Sequence, residues 1–137
     1  LDGFVIADDS GLEVDCLGGK PGVRSARFAR AKATDKENNG KLLRLMKKFP
    51  STKNRGATFV CSIALADKGV LIGTVQGECR GRIGLKRKGN NGFGYDPLFT
   101  PDGYKLTFAQ MKAAFKNRIS HRAIALKKAR EVIKRDL

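Results

Sequence analysis

The chain has no tryptophan, one histidine (His121), three cysteines and four prolines among its 137 residues. Cys16, Cys61 and Cys79 lie far apart, match no zinc spacing and cannot all pair within the chain. They read as free thiols in a reducing, cytoplasmic compartment. No apolar run reaches the roughly 18 residues that a membrane-spanning helix needs, so no span is predicted. There is no secretory signal either, because the first residues lack a basic segment and turn acidic at Asp8 and Asp9. Acidic residues are scarce overall: 13 Asp and Glu stand against 28 Lys and Arg, a net charge of +15. A field of that sign attracts polyanions, whether nucleotide phosphates, nucleic acid or anionic lipid, and bears on encounter rather than fold. The basic residues spread over 36–55, 80–88 and 112–135 instead of forming one run with interleaved aromatics. Nucleic acid is therefore the less favoured partner.

A hydrophobic content of 41% is that of a globular chain. At this length a single domain, residues 1–137, can bury roughly two thirds of its unfolded surface. The sequence opens without Met on a strand-like segment, as a piece of a longer protein would.

Apolar content and alternation predict two short strands, 3–8 and 12–17, on either side of a Ser10-Gly11 turn. A turn cluster follows at 18–22. Thr34 and Glu37 stand at capping-box spacing, and Leu42, Leu45, Met46 and Phe49 continue as the apolar stripe of a helix that Pro50 ends. Residues 56–66 and 69–80 form a hairpin around Asp67-Lys68-Gly69. Residues 89–97 are a glycine-rich loop. The remainder is helical, with Ser120 as an N-cap and Ala125, Ala129, Val132 and Ile133 as a buried face. The class is α/β, a mixed sheet flanked by helices.

Three places carry chemistry. Asp8 and Asp9 close an apolar run; one of them holds a divalent ion and activates a water, or caps the Ser-Gly turn, and spacing alone does not choose. In the 89–97 loop, glycines allow close backbone approach and Phe93 and Tyr95 offer flat faces on which a base can stack. The loop lacks the Lys-Ser/Thr ending of a Walker phosphate loop. At Ser120-His121-Arg122, with Lys116 upstream, basic side chains sit at a helix start, where N–H groups favour anions and His and Arg can donate to a carbonyl oxygen. A serine hydrolase arrangement is a poor reading, because Ser120 and His121 are neighbours that point apart and Ser120 reads as a cap rather than a nucleophile.

In order along the chain, Ala7-Asp8-Asp9-Ser10-Gly11-Leu12, Pro21-Gly22-Val23-Arg24-Ser25-Ala26-Arg27-Phe28 and Ala33-Thr34-Asp35-Lys36-Glu37-Asn38 resemble the inosine triphosphate pyrophosphatase family. So do Gly92-Phe93-Gly94-Tyr95-Asp96-Pro97-Leu98-Phe99, Thr107-Phe108-Ala109, Lys116 and Ser120-His121-Arg122-Ala123. The resemblance implies an α/β fold with a nucleotide-binding cleft, Mg2+ dependence, a homodimer, and hydrolysis of dITP, ITP and XTP to monophosphate and pyrophosphate. It implies Asp9 as general base and metal ligand with Asp8 as acidic helper, and Ser10 in contact with substrate. Phe93, Gly94, Tyr95 and Asp96 would line the nucleoside pocket, with Phe93 stacked on the base. Lys116 would touch substrate, while His121 and Arg122 would read the 6-keto group. The chain departs from the pattern at Gln110, where the family has Glu, at Arg24, where it has an aromatic, and at Lys20 and Arg30, where it has small residues. The family's opening strand, its Ser/Thr-x-Asn-x-x-Lys phosphate loop and its metal-binding Glu are not among these residues. The resemblance therefore implies an N-terminally truncated domain that is a poor catalyst by itself, or a nucleotide-binding relative without turnover.

Overall fold

The computed structural model describes residues 3–136; the single-domain expectation over 1–137 extends past them at Leu1, Asp2 and Leu137. Five strands form one sheet in the order β2-β1-β3-β4-β5: β1 (Phe4–Val14), β2 (Lys20–Gly22), β3 (Gly56–Asp67), β4 (Val70–Ile83) and β5 (Phe99–Pro101). All four pairings are antiparallel, where the sequence predicts a mixed sheet. Helices α1 (Asp35–Met46), α2 (Ala113–Ile119) and α3 (His121–Asp136) complete the α/β fold expected.

The first expectation to change is the Ser10-Gly11 turn. β1 runs straight through it, paired with β3 from Phe4 opposite Asp67 to Val14 opposite Ala57. Gly11 serves close approach rather than turning: a Cβ there would lie 2.6 Å from the Gly22 carbonyl oxygen of β2. A side chain would push β2 away and unpair the sheet's short edge.

Side chains alternate across a strand, so the register fixes two faces. Leu12 and Val14 of β1 share one face with Ala57, Phe59, Cys61, Ile63 and Leu65 of β3, all buried. Leu42 and Met46 of α1 cover one end of this face, and Ala125 and Ala129 of α3 the other. The opposite face, with Asp9, Glu13, Ser62 and Gln76, carries no helix among the described residues.

Local chemistry explains the helices. Thr34 and Glu37 form the capping box that their spacing predicts, with the Glu37 N–H donating to Thr34 Oγ1 (3.2 Å) and the Thr34 N–H to Glu37 Oε1 (3.0 Å). Leu45 of the predicted stripe is exposed; Asn38, in register with Leu42 and Met46, takes the buried position one turn upstream. Ser120 caps α3, its Oγ accepting the Ala123 N–H at 3.1 Å. The β3–β4 turn has Lys68 and Gly69 both at positive φ (50° and 79°), the pattern of a two-residue hairpin turn that matches strand twist. Arg55, which the sequence does not single out, is buried and donates to the carbonyls of Met46, Phe49, Ile83 and Gly84. It ties the carbonyl end of α1 to β4, where a cation also suits the helix dipole.

Candidate active site

Where α1, β1 and β3 meet the glycine-rich loop and the start of α3, they enclose a cavity of about 180 Å³. That is below the roughly 300–1,000 Å³ of pockets that hold a whole drug-sized ligand, so it takes one part of a ligand and leaves the rest outside. Leu12 and Phe59 line its sheet side, and Phe93 closes the rim with its ring largely exposed.

The loop is held as a wall by α1. The Gly94 N–H donates to Asp35 Oδ2 (2.8 Å), and its carbonyl accepts from Asn39 Nδ2 (3.1 Å). Tyr95 is buried and its hydroxyl donates to the Ser25 carbonyl (2.6 Å); burial raises its pKa above the ordinary tyrosine range. Ser25 Oγ in turn accepts the Leu12 N–H at 2.9 Å, so the loop is locked to β1 through one serine. Inside the wall, buried Asp96 accepts the Phe93 N–H (3.1 Å) and the Lys116 ammonium. Burial pushes the Asp96 carboxyl up, and the Lys116 ammonium opposes that. Lys116 Nζ also lies 4.7 Å from the Phe93 ring centroid, within cation–π range. A Cβ on Gly92, whose φ is +74°, would reach 2.0 Å from Asp96 Oδ2, so this glycine leaves the room that the carboxylate occupies.

His121 forms the opposite side. Its ring stacks on Phe59 with centroids 4.6 Å apart and planes 12° from parallel, and its Nδ1 is buried without a partner among the described residues. Burial, then the nearby Lys116 and Arg122 charges, drive its pKa down to about 4. The ring is neutral at physiological pH, a hydrogen-bonding group rather than a cation. The unfolded chain binds a proton here as pH falls below about 6.5, and the folded chain only near 4. The neutral ring's contribution to stability is thus complete above pH 6.5 and lost as pH falls toward 4, about 3 kcal/mol over the whole window. Between pH 7.5 and 5.0, urea unfolding should show wild type losing about 2 kcal/mol more than His121→Gln. Equal losses in the two proteins would mean that the ring is not held neutral.

Of the residues singled out from sequence, Ser10, Phe93, Gly94, Tyr95, Asp96, Lys116 and His121 come together on this cavity. Three do not line it. Arg122 projects away, and its guanidinium pairs with Asp8 at 3.2 Å across an exposed gap. Asp9, one residue out of phase with Ser10 and Leu12, lies on the uncovered face of the sheet with Glu13, Ser62 and Gln76. The two aspartates therefore do not converge as a turn would have allowed. Among the described residues no group of three His, Cys, Asp or Glu gathers to hold a metal. Exposed carboxylate oxygens at Asp8 and Asp9 remain, which suit an ion such as Mg2+ that takes one or two protein carboxylates plus water and phosphate oxygens. Sequence reasoning missed Ser25, Ala26, Asp35, Asn38 and Phe59 in the lining. Ser25, Ala26, Asp35 and Asn38 do stand inside the motifs that carry the family resemblance, and Asn38 is also a polar residue in phase with the apolar stripe of α1; Phe59 had no such signal.

An antiparallel sheet with helices on one face, enclosing a ring-sized cavity between a glycine-rich wall and a neutral histidine, defines an α/β protein with room for one ring of a ligand. The chain belongs to the Ham1 family, whose profile matches residues 2–132. A dITP/XTP pyrophosphatase of Clostridium tetani is 54% identical over 96% of this chain and 64% of its own length. One from Desulforamulus reducens is 52% identical over 96% and 65%. Among solved structures, the Staphylococcus aureus Ham1 protein superposes with a TM-score of 0.88 at 38% identity, covering 100% of this chain and 70% of its own. A nucleoside-triphosphatase, dITP/XTP pyrophosphatase, of Mycobacterium abscessus gives 0.78 at 41% identity, covering 92% and 64%. The chain thus spans just under two thirds of the length of the two relatives named first. No helix among the described residues is long and apolar enough to cross a membrane.

Proposed function

We propose that this chain carries the nucleoside site of a cytoplasmic, homodimeric pyrophosphatase, within one domain. It would cleave dITP, ITP, XTP and dXTP to the monophosphate and pyrophosphate. The observation that carries the reading is the convergence on one ring-sized cavity of Ser10, the Phe93–Asp96 wall, Lys116 and His121, which come from separate stretches of the chain. The relatives named as dITP/XTP pyrophosphatases support it.

In this reading the purine enters the cavity with Phe93 on its face, while the sugar and phosphates stay outside. A neutral His121 can donate to a 6-keto oxygen; Arg122, outside the cavity and paired with Asp8, would join it by releasing that carboxylate. Against adenine's amino group the donor would face a donor, and an unpaired buried polar group is a physical basis for rejection. Lys116 and Ser10 contact the substrate, and Gly94, Tyr95 and Asp96 hold the wall. Asp9 would hold Mg2+ from the uncovered face of β1, with Asp8 its acidic neighbour in sequence on the other face; when bound, the ion would supply positive charge to the phosphates and acidify a water. Asp9 would take that water's proton.

Pyrophosphate release, measured from dITP, XTP and dATP in the presence of Mg2+, tests the proposal. A preference of about 100-fold or more in kcat/KM for the keto purines is expected. Asp9→Asn should lower kcat by about 100-fold or more. Equal use of dATP would remove the selectivity claim, and an unaffected Asp9→Asn rate would remove the base assignment. A second reading, nucleotide binding without turnover, is favoured by Asp9 facing away from the cavity. It predicts saturable calorimetric binding of ITP with no pyrophosphate formed.

A further inference from the structure

Helices α2 and α3 leave between them a groove of about 620 Å³ that is separate from the nucleoside cavity. Among the described residues its charged lining is entirely cationic: Arg118 from α2, and Arg122, Lys127 and Arg130 from α3. Among the described residues Arg122 alone of these four pairs with a carboxylate, Asp8. Glu131, the acidic neighbour in sequence, does not line the groove. Arg118 is braced from below, its guanidinium 5.3 Å from the Phe115 ring centroid. Arg122 and Arg130 stand eight residues apart on one side of α3, about 12 Å along the axis. The cations therefore line both walls of the groove, three on α3 and Arg118 on α2. The three basic stretches that look dispersed in sequence are not equivalent, because the last one supplies all four of these cations.

We propose that the α2–α3 groove binds single-stranded nucleic acid through its phosphates. The shape favours a strand over a bilayer: charges on facing walls can flank a chain but cannot all reach a flat surface. The half-exposed Leu126 is the only large apolar side chain in the lining, too little to anchor in lipid. With no aromatic there, bases have nothing to stack on, so binding is indifferent to sequence and steeply salt-dependent.

The test is fluorescence anisotropy of a labelled 15-nucleotide oligothymidylate with the purified chain from 50 to 300 mM KCl. Binding with a log–log salt slope of about −2 to −3 is expected, since each phosphate contact on a single strand contributes about −0.7. The double variant Lys127→Gln, Arg130→Gln should flatten the slope by about 1.4 and weaken binding at 100 mM at least about tenfold. Lys47→Gln, Lys53→Gln removes the same charge from an exposed stretch outside the groove and should change affinity less than about twofold. Both pairs are exposed, and an unchanged melting temperature verifies the fold. Equal weakening by the two double variants would reduce the effect to net charge and overturn the groove. Absence of binding at 50 mM would overturn it as well. So would capture by phosphatidylserine vesicles, sensitive to Lys127 and Arg130, in a protein that ignores the oligonucleotide.

Discussion

Valine in place of Gly77 should unseat α3, lowering the melting temperature by roughly 10 °C and the stability by about 3 kcal/mol. Gly77 lies on β4 directly beneath the first turns of that helix. A Cβ there would lie 2.2 Å from the His121 carbonyl oxygen, 2.4 Å from the Ala125 nitrogen and 3.0 Å from the Ala125 Cα. All three are backbone atoms, so no side chain can rotate aside and the whole helix must move. Moving it uncovers Ala125 and Ala129, which pack on Cys61, Ile63 and Leu65, and lifts the His121 ring from Phe59. The loss should therefore reach the nucleoside cavity, with ligand affinity falling alongside stability. Gly73, on the same strand, is the control, since a Cβ there meets nothing within 4 Å. Gly73→Val should leave the urea midpoint nearly unchanged, because β-branched residues suit strands. If Gly77→Val unfolds at the wild-type temperature, the helix is not seated on this strand as described.

Gly77 and Gly11 also show where sequence reasoning stops. Both are glycines because another backbone approaches them, and nothing local distinguishes that from a glycine that turns the chain. The Ser10-Gly11 pair accordingly reads as a turn, whereas an eleven-residue strand passes through it. The misreading reaches the site. Once β1 is continuous, strict alternation puts Ser10 with Leu12 on the covered face and Asp9 on the other, a consequence that two short strands conceal. Features set by a few neighbouring residues were legible: the Thr34–Glu37 capping box, the Lys68-Gly69 turn and the Ser120 cap. The ordered motifs around Phe93 and His121 pointed to the cavity because their residue types carry chemistry. Phe59 gave no signal, since a core phenylalanine and a cavity-lining one look alike. Ser25 and Asn39 matter through the backbone groups they bind, and those partners are chosen by the fold.

Removing the Lys116 ammonium should cost about as much, and its pH dependence would identify the cause. Lys116→Met keeps the length of the side chain but leaves Asp96, 3% exposed, without its cation. Breaking a buried pair from one side typically costs about 3–5 kcal/mol, and the remaining Phe93 N–H together with Lys116's partial exposure favour the lower end, about 3. Burial already raises the Asp96 pKa while Lys116 opposes it, so without the ammonium the folded-state pKa rises further. The unfolded value stays near 3.8. A carboxyl raised in the folded state destabilises increasingly as pH climbs above the unfolded value. The deficit of Lys116→Met in urea unfolding should accordingly be largest at pH 8 and shrink toward pH 4. Adding Asp96→Asn removes the charge that was stranded while keeping an oxygen for the Phe93 N–H. The double variant should recover most of the stability and lose the pH dependence. A deficit that is the same at pH 8 and pH 5 would trace the loss to the lysine's packing on Phe93 and Phe108, and would show that Asp96 does not depend on it electrostatically. The wall of the cavity is thus expected to owe its position to one buried charge pair, with Gly92 leaving room for the carboxylate and Gly94, at a φ of +59°, taking a backbone conformation that favours glycine.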